Sequence, residues 1–141
     1  MFSRKLLSFG ISDVIDTVLV MKTFDDAYNS RGKPSGLMFH SDQGVQYTAY
    51  AFRQRSNEIG VKLSFSTPGN PYDNAVCESF SYRLKYEALY QKLFTTAPEV
   101  EAELGKYIDY YYNRRPHRKL DFKTPQEIEN DYYNNQSTDA E

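Results

Sequence analysis

The stretch that decides the fold covers residues 37–44, which read Leu37-Met38-Phe39-His40-Ser41-Asp42-Gln43-Gly44. Three consecutive apolar residues open the stretch, and polar residues follow them directly. A short apolar run of this kind predicts a buried strand whose carboxyl end presents polar side chains. Asp42 stands at that end, which is where open α/β sheets bind their ligands. We therefore take Asp42 as the first candidate functional residue.

Strand and helix patterns alternate on both sides of this stretch, and they predict an α/β fold with a mixed or parallel sheet flanked by helices. The predicted strands are residues 6–11, 37–39 and 61–65. The predicted helices are residues 14–28, 49–59, 76–88 and 98–112, with a short last helix starting at 124–127. The side chains expected to cap the first three helices are those of Asp13, Thr48, and Asp73 or Asn74.

The composition is that of one globular domain, with 141 residues of which 40% are hydrophobic and 26% are charged. No apolar run approaches the roughly 18 residues that a membrane span needs. The N-terminus has no secretory signal pattern, and the single cysteine, Cys77, excludes an internal disulfide and a cysteine-based zinc site. We therefore expect a cytoplasmic protein with no membrane partner, in which Cys77 is a small buried residue.

The net charge of −2 is unevenly distributed along the chain. Residues 126–141 hold five acids and no lysine or arginine, so residues 1–125 carry a net charge of +3. The densest basic run is residues 113–119, and such a run is usually a solvated loop, with a local polyanion contact as the alternative. We assign residues 1–133 to one core and residues 134–141 to a polar, acidic tail that is expected to be disordered.

A second acid, Glu78, joins Asp42 as a candidate. It follows a loop rich in glycine and proline, lies one turn into a predicted helix, and is separated from Asp42 by 35 residues. Lys85 comes seven residues later, about 10 Å further along the same helix face. A lysine at this position can hold a phosphate near a metal ion that Glu78 helps to bind.

Four segments of the chain carry a recognisable set of motifs. They are residues 2–5 (FSRK), 40–47 (HSDQGVQY), 69–80 (GNPYDNAVCESF) and 112–127 (YNRRPHRKLDFKTPQE). In order and spacing they resemble the motifs of bacterial insertion-sequence transposases with a retroviral-integrase-type core. The resemblance spans residues 2 to about 130, and residues 2–5 match the turn before the third strand of that core.

The resemblance implies an RNase H-like fold and an active site of three carboxylates, Asp, Asp and Glu. Asp42 matches the second Asp, Glu78 matches the Glu, and Lys85 matches the basic residue on the same helix. Such enzymes bind two Mg²⁺ or Mn²⁺ ions, which suits hard oxygen ligands. The reactions implied are cleavage of transposon ends and joining of the freed 3′ ends to target DNA, by in-line displacement at phosphorus.

One departure from the family pattern concerns the first Asp, which would lie upstream of this chain. The only acids before Asp42 are Asp13, Asp16, Asp25 and Asp26, and all fall on or beside the first helix. The first two strands of the fold are also missing, so residues 37–39 would expose a sheet edge that invites self-pairing. We therefore expect an incomplete integrase core, inactive alone, with a site that lacks one metal ligand.

The remaining candidates concern DNA and assembly. Residues that can contact DNA, besides Lys85, are Asn70, Tyr72, Arg114, Arg115 and Arg118. For Asn70 and Tyr72 the alternative is a role in shaping their loop, and for the arginines it is a solvated loop. His40 is either a group beside the metal or a hydrogen-bonded structural residue. The expected partners are transposon-end and target DNA on the nucleoid, and further copies of the chain or an intact transposase.

Another hypothesis assigns the chain no catalysis. It would then be a DNA-binding or assembly module that associates with an intact transposase, or the remnant of a degraded gene. The basic run at residues 114–119 and the exposed sheet edge motivate this alternative.

Overall fold

A computed structural model of the chain describes residues 2–67 and 75–138. Its strands are β1 (Met38–Ser41) and β2 (Lys62–Phe65). Its helices are α1 (Thr17–Ser30), α2 (Val45–Thr48), α3 (Tyr50–Glu58), α4 (Ala75–Leu84), α5 (Ala97–Asn113) and α6 (Pro125–Thr138). A π-helical turn, Lys85–Leu89, continues α4, and a 3₁₀ turn, Arg118–Leu120, precedes α6. Within the described part of the chain, every helix is too short or too polar to cross a membrane.

The two strands form a parallel pair in which Met38 lies opposite Lys62 and Ser41 lies opposite Phe65. Helices α2 and α3 connect them, because parallel neighbours need a crossover connection. This arrangement confirms the predicted α/β class. The sheet of the described residues is parallel throughout, and a strand in the opposite direction, which a mixed sheet requires, is not among them.

The chain divides into two compact units. The N-terminal unit is Leu7–Tyr82, and the C-terminal unit is Arg83–Glu141 together with Met1–Leu6. The core predicted over residues 1–133 therefore includes parts of both units.

An aromatic cluster forms the core of the N-terminal unit. Phe52 of α3 is fully buried, and its ring centroid lies 5.3 Å from that of Phe24 on α1 and 5.4 Å from that of Phe39 on β1. Tyr47 of α2 adds a fourth ring at 5.9 Å from Phe52. Since each ring comes from a different element, this cluster holds β1 and the turn after it in place.

The C-terminal unit is built on α5 and α6. Leu104, Tyr107 and Tyr111 are buried on one face of α5, with the spacing of an amphipathic helix. Glu129 of α6 is also buried and accepts a hydrogen bond from Ser3 Oγ at 2.8 Å. The helix predicted to start at residues 124–127 is confirmed, and it continues to Thr138, into the segment predicted to be disordered.

Residues 6–11 do not form a strand, and the prediction was wrong there. Their apolar residues do alternate, but no strand among the described residues pairs with them. Instead, Ser8 Oγ donates to the carbonyl of Thr23 at 2.7 Å, and a Cβ on Gly10 would lie only 2.6 Å from Thr23 Oγ1. The segment therefore packs along α1.

Two predicted helix caps were also wrong. Asp16 caps α1 in place of Asp13, because the helix begins at Thr17 and the Asp16 carboxylate accepts the N–H of Leu19 at 2.8 Å. Thr48 is the last residue of α2, where its hydroxyl donates to the Gly44 carbonyl at 3.3 Å. The third cap, Asp73 or Asn74, lies outside the described residues.

Candidate active site

Asp42 directly follows β1, and the end of this strand is fixed to the end of β2. The N–H of Ser66 donates to the Ser41 carbonyl at 2.9 Å, and the Gln43 side-chain amide donates to the Ser66 carbonyl at 3.1 Å. These bonds extend the parallel ladder by one residue beyond the strands. The backbone that carries Asp42 is therefore held on both sides.

The Asp42 carboxylate is exposed and accepts one backbone hydrogen bond. Its Oδ1 atom accepts the N–H of Gly44 at 3.0 Å, an Asx turn that leads into α2. A Cβ on Gly44 would lie 3.0 Å from the same oxygen, so the absence of a side chain there lets the carboxylate approach. The turn orients the carboxylate and leaves its second oxygen available.

Glu78 is the fourth residue of α4 and is exposed to solvent. A negative charge in the first turn of a helix is favoured by the N-terminal end of the helix dipole. Within the described residues, Glu78 makes no ion pair and no side-chain hydrogen bond. Its carboxylate is therefore available to a ligand.

The pKa of the Cys77 thiol is affected by both acids. Partial burial raises the pKa of the Cys77 thiol, and the charges of Asp42 and Glu78 raise that pKa further. Glu78 is the next residue in the chain, but Asp42 precedes Cys77 by 35 positions, so its influence reflects the fold. The structure thus brings Asp42 to the same part of the N-terminal unit as the start of α4.

Two residues near Asp42 were not identified correctly from the sequence. Tyr47 is half-buried, and burial followed by the Asp42 charge raises the pKa of its hydroxyl. Cys77 is exposed, so its prediction as a buried residue was wrong. Tyr47 lies in the motif of residues 40–47, but its electrostatic coupling to Asp42 depends on the turn from Gly44 into α2.

The acids before Asp42 have other roles. Asp16 caps α1, and Asp25 accepts a hydrogen bond from Arg55 Nε at 3.0 Å. Within residues 2–67 and 75–135, no three His, Cys, Asp or Glu side chains come together in a way that could hold a metal ion. Asp42 and Glu78 are nevertheless the hard oxygen donors that Mg²⁺ prefers, and Mg²⁺ commonly uses one or two carboxylates plus waters and phosphates.

His40 is held by two hydroxyl groups, one in β2 and one directly after it. Its Nδ1 lies 3.0 Å from Ser64 Oγ, and its Nε2 lies 3.2 Å from Ser66 Oγ. Both ring nitrogens therefore have partners that belong to the strand pair. Of the two roles considered for His40, this geometry favours the structural one.

The basic candidates lie in the C-terminal unit. Lys85 opens the π-helical turn and is exposed. Arg114 and Arg118 are exposed and make no ion pair with a described residue. Arg115 differs from them, because its Nη2 and Nε donate to the two oxygens of Glu87 at 2.7 and 3.1 Å. Asn70 and Tyr72 lie outside the described residues.

Comparison with known proteins places the chain in a family. Two models described as integrase core domain match it, one over residues 1–71 and the other over residues 59–125. The transposase for insertion sequence element IS904 of Lactococcus lactis subsp. lactis (strain IL1403) is 40% identical over 91% of this chain and 51% of its own length. The transposase for insertion sequence element IS629 of Shigella sonnei is 33% identical over 94% of this chain and 44% of its own length. The chain therefore spans about half the length of these curated relatives.

Solved structures agree on the fold. A chain of the simian T-cell lymphotropic virus intasome in complex with PP2A regulatory subunit B56 gamma has a TM-score of 0.65 at 16% identity, covering 83% of this chain and 41% of that one. The catalytic core domain of BIV integrase has a TM-score of 0.58 at 24% identity, covering 89% and 76%. These matches confirm the predicted RNase H-like integrase-core fold. With one family model matching half of its residues, this chain belongs to the integrase core domain family.

Proposed function

We propose that Asp42 and Glu78 are two of the carboxylates of a metal-dependent phosphoryl-transfer centre that acts on DNA ends in transposition. Membership of the integrase core domain family supports this proposal, as do relatives that are insertion-sequence transposases. The observation that carries it is the placement of two exposed carboxylates, with Asp42 held by the Gly44 N–H at the end of β1 and Glu78 in the first turn of α4.

The exposure of both acids suits this role. An exposed carboxylate keeps the oxygens that a ligand needs, and an ion that binds there does not have to displace a buried partner. Asp42 is fixed there by the Gly44 N–H, which leaves one oxygen to bind a ligand. Glu78 keeps both of its oxygens available on the first turn of α4.

A divalent ion held by these oxygens would supply Lewis-acid activation of the attacking and leaving oxygens at phosphorus. The chain's own residues would have separate tasks. Asp42 would orient the ion through its Asx turn, Glu78 would complete the pair of ligands, and Lys85 would neutralise a DNA phosphate. Two carboxylates hold a pair of ions poorly, so the chain alone would lack strand-transfer activity.

Binding of Mn²⁺ to the chain tests the pair of ligands directly. We expect weak binding, measured by the loss of the free Mn²⁺ signal in electron paramagnetic resonance. Both Asp42→Asn and Glu78→Gln should weaken it by about tenfold or more, as expected for the loss of a metal ligand. Asp26→Asn, which removes an exposed acid of α1, is the matched control and should have no effect. Equal affinity in all four proteins would exclude Asp42 and Glu78 as ligands.

A second candidate function is DNA binding without catalysis, favoured by the exposed basic side chains at residues 114–119. Arg114, Arg118 and Lys119 are exposed and have no ion pair among the described residues. Neutralising phosphates releases counterions, so the logarithm of the affinity falls linearly with the logarithm of the salt concentration. Arg118→Ala should reduce this slope by about one unit on duplex DNA. If the chain fails to bind duplex DNA at low salt, this function is excluded.

A further inference from the structure

The π-helical turn of the C-terminal unit, Lys85–Leu89, begins with the lysine that is a candidate for DNA contact. Its wide hydrogen bond runs from the N–H of Tyr90 to the carbonyl of Lys85, five residues back, at 2.8 Å. π-helical turns are rare, occur mostly as single turns within α-helices and are frequent at functional sites. Because a regular α-helical turn is the common alternative, contacts from elsewhere in the unit have to favour this one.

Glu87, the third residue of this turn, is tied to α5 and to the segment that follows it. Arg115 donates from Nη2 to Glu87 Oε1 at 2.7 Å and from Nε to Oε2 at 3.1 Å, which makes a bidentate pair. Tyr107, buried on α5, donates its hydroxyl to Oε2 at 3.0 Å. The backbone of Arg115 is fixed as well, because its N–H donates to the Tyr110 carbonyl at 2.9 Å. Three hydrogen bonds therefore hold the turn against the end of α5.

The turn has a fixed side and an open side. Ala88 is 2% exposed, so the residue after Glu87 is packed into the unit. Lys85 is exposed, and its side chain makes no ion pair with a described residue. The backbone of Lys85 is thus held by the turn, while its ammonium group remains available to an anion.

We propose that Arg115 is a positioning residue for Lys85, because its bidentate pair with Glu87 holds the π-helical turn that presents the lysine to a DNA phosphate. The inference rests on the role of Lys85 in the proposed function. Arg115 itself does not contact DNA, since Glu87 neutralises its charge and occupies two of its five N–H donors. Arg114 and Arg118, which make no such pair with a described residue, remain the arginines that can bind phosphate directly.

The first test measures how the affinity of the full chain for a fluorescently labelled DNA duplex depends on salt. Lys85→Ala should reduce the slope of log affinity against log salt by about one unit, as for the loss of one phosphate contact. Arg115→Lys keeps the charge but cannot form the bidentate pair, so it should reduce the slope by the same amount. The double variant should also lose about one unit, because both changes remove the same contact.

Glu87→Gln separates positioning from charge, because the two predict effects of opposite sign. Removal of an acid makes the chain more positive, and electrostatics alone would strengthen its binding to DNA. The positioning role predicts weaker binding, with the same loss of about one unit of slope, since the ionised partner of Arg115 is gone. Glu101→Gln removes an exposed acid of α5 and is the matched control, which should not weaken binding.

Amide hydrogen exchange, measured by NMR without DNA, tests the turn itself. The Tyr90 amide closes the π-helical turn, so it should exchange about tenfold faster in Arg115→Lys and in Glu87→Gln. The Ile128 amide, which donates to the Thr124 carbonyl at the start of α6, should not change. Circular dichroism establishes that both variants are folded.

Three results would overturn the inference and leave the proposed function intact. They are a loss of about two units of slope in the double variant, which would make Arg115 a direct DNA contact, an unchanged slope in Arg115→Lys where Lys85→Ala lowers it, and an unchanged exchange rate of the Tyr90 amide. A fourth result is different in kind. If Lys85→Ala leaves the slope unchanged, the role of Lys85 in the proposed function is wrong, and the inference fails with it.

Discussion

Two pairs of carboxylates, one pair in each unit of the chain, differ in their hydrogen-bond partners. In the C-terminal unit, Glu87 accepts hydrogen bonds from Arg115 and from Tyr107, the latter at 3.0 Å, and Glu129 is buried with Ser3 and Lys5 as partners. In the N-terminal unit, Asp42 accepts one backbone N–H, and Glu78 has no partner among the described residues. The first pair of acids stabilises the fold, and the second pair remains able to bind a ligand.

The difference shows how to recognise a functional acid in this fold. A carboxylate surrounded by donors has its lone pairs satisfied, and a metal ion would have to displace those donors. A carboxylate fixed by one bond at a strand end costs the fold little and keeps its coordination capacity. The hydrogen bonds of these four acids therefore distinguish the two that stabilise the fold from the two that can bind a ligand.

The largest expected effect comes from the aromatic cluster that positions Asp42. Phe52 is fully buried among the rings of Phe24, Phe39 and Tyr47, so Phe52→Ala should leave a cavity and lower the free energy of unfolding by about 3–5 kcal/mol. Urea denaturation followed by circular dichroism measures this loss. Tyr50→Ala, on the same helix at 81% exposure, should change stability by less than about 0.5 kcal/mol. Equal losses in the two variants would contradict the proposed role of the cluster.

His117 of the C-terminal unit should make the free energy of unfolding depend on pH. It is 2% exposed, and burial followed by the Arg115 cation lowers its pKa. The unfolded chain therefore takes up the proton first, so the full stability is present above the ordinary histidine pKa of about 6.5 and is lost as the pH falls below it. The expected slope reaches at most about 1.4 kcal/mol per pH unit.

The measurement for His117 is the free energy of unfolding between pH 7 and pH 5. His117→Phe, which keeps an aromatic ring against Tyr111, should remove this slope. Tyr111→Phe, which keeps the imidazole, should retain it. If the slope persists in His117→Phe, another group is responsible.

The pair of Glu87 and Arg115 tests whether satisfied acids serve the fold. Hydrogen bonds from Arg115, which contributes most, and from Tyr107 lower the pKa of Glu87. The stabilisation is therefore present above the ordinary glutamate pKa of about 4.3 and is lost as the pH falls through the lowered value. Arg115→Ala should cost about 1 kcal/mol at pH 7, since partial exposure screens the pair, and less at pH 3.

Thermal unfolding at pH 7 and pH 3 measures the effect of Arg115→Ala. The neighbouring exposed arginine supplies the control, because Arg114→Ala removes the same charge from the same segment and should not change stability by more than about 0.5 kcal/mol. A loss in Arg115→Ala that is the same at both pH values would show that Glu87 does not account for it.

Much of the fold could be predicted from the sequence because local patterns determine it. The helical spacing of Met21, Phe24 and Tyr28 and the alternation of Leu63 and Phe65 correspond to α1 and β2. Residues 6–11 show where this reasoning fails. Alternation predicts which residues face a core, but a strand also needs a neighbouring strand, and pairing depends on residues elsewhere.

The candidate site could be predicted only in part for a similar reason. The positions of Asp42 and Glu78 on a strand end and a first helical turn follow from sequence pattern. The exposure of Cys77 and the proximity of Tyr47 to Asp42 do not, because they depend on how α2 and α4 approach the end of β1. The sequence likewise does not distinguish Arg115 from Arg114 and Arg118. The difference lies in the fold, where Arg115 donates hydrogen bonds to Glu87.

The smallest expected effect concerns how Asp42 is held, and its readout rests on the proposed Mn²⁺ site. In Gly44→Ala, the new Cβ would lie 3.0 Å from Asp42 Oδ1, while the backbone at φ −55° and ψ 144° accepts alanine without strain. The carboxylate must shift by a few tenths of an ångström. We expect Mn²⁺ affinity to fall by about twofold, equivalent to about 0.4 kcal/mol, with little change in overall stability.

Gly105→Ala is the matched control for this variant. No atom lies within 4 Å of a Cβ at Gly105, which is inside α5, so alanine there should stabilise the helix by about 0.5–1 kcal/mol and leave Mn²⁺ affinity unchanged. The two glycines then separate the local geometry of the carboxylate from general stability. If Gly44→Ala binds Mn²⁺ as tightly as the unmodified chain, the turn does not orient Asp42 for a metal ion. The bond from the Gly44 N–H would then serve the turn into α2 and would not prepare the Asp42 carboxylate for a ligand.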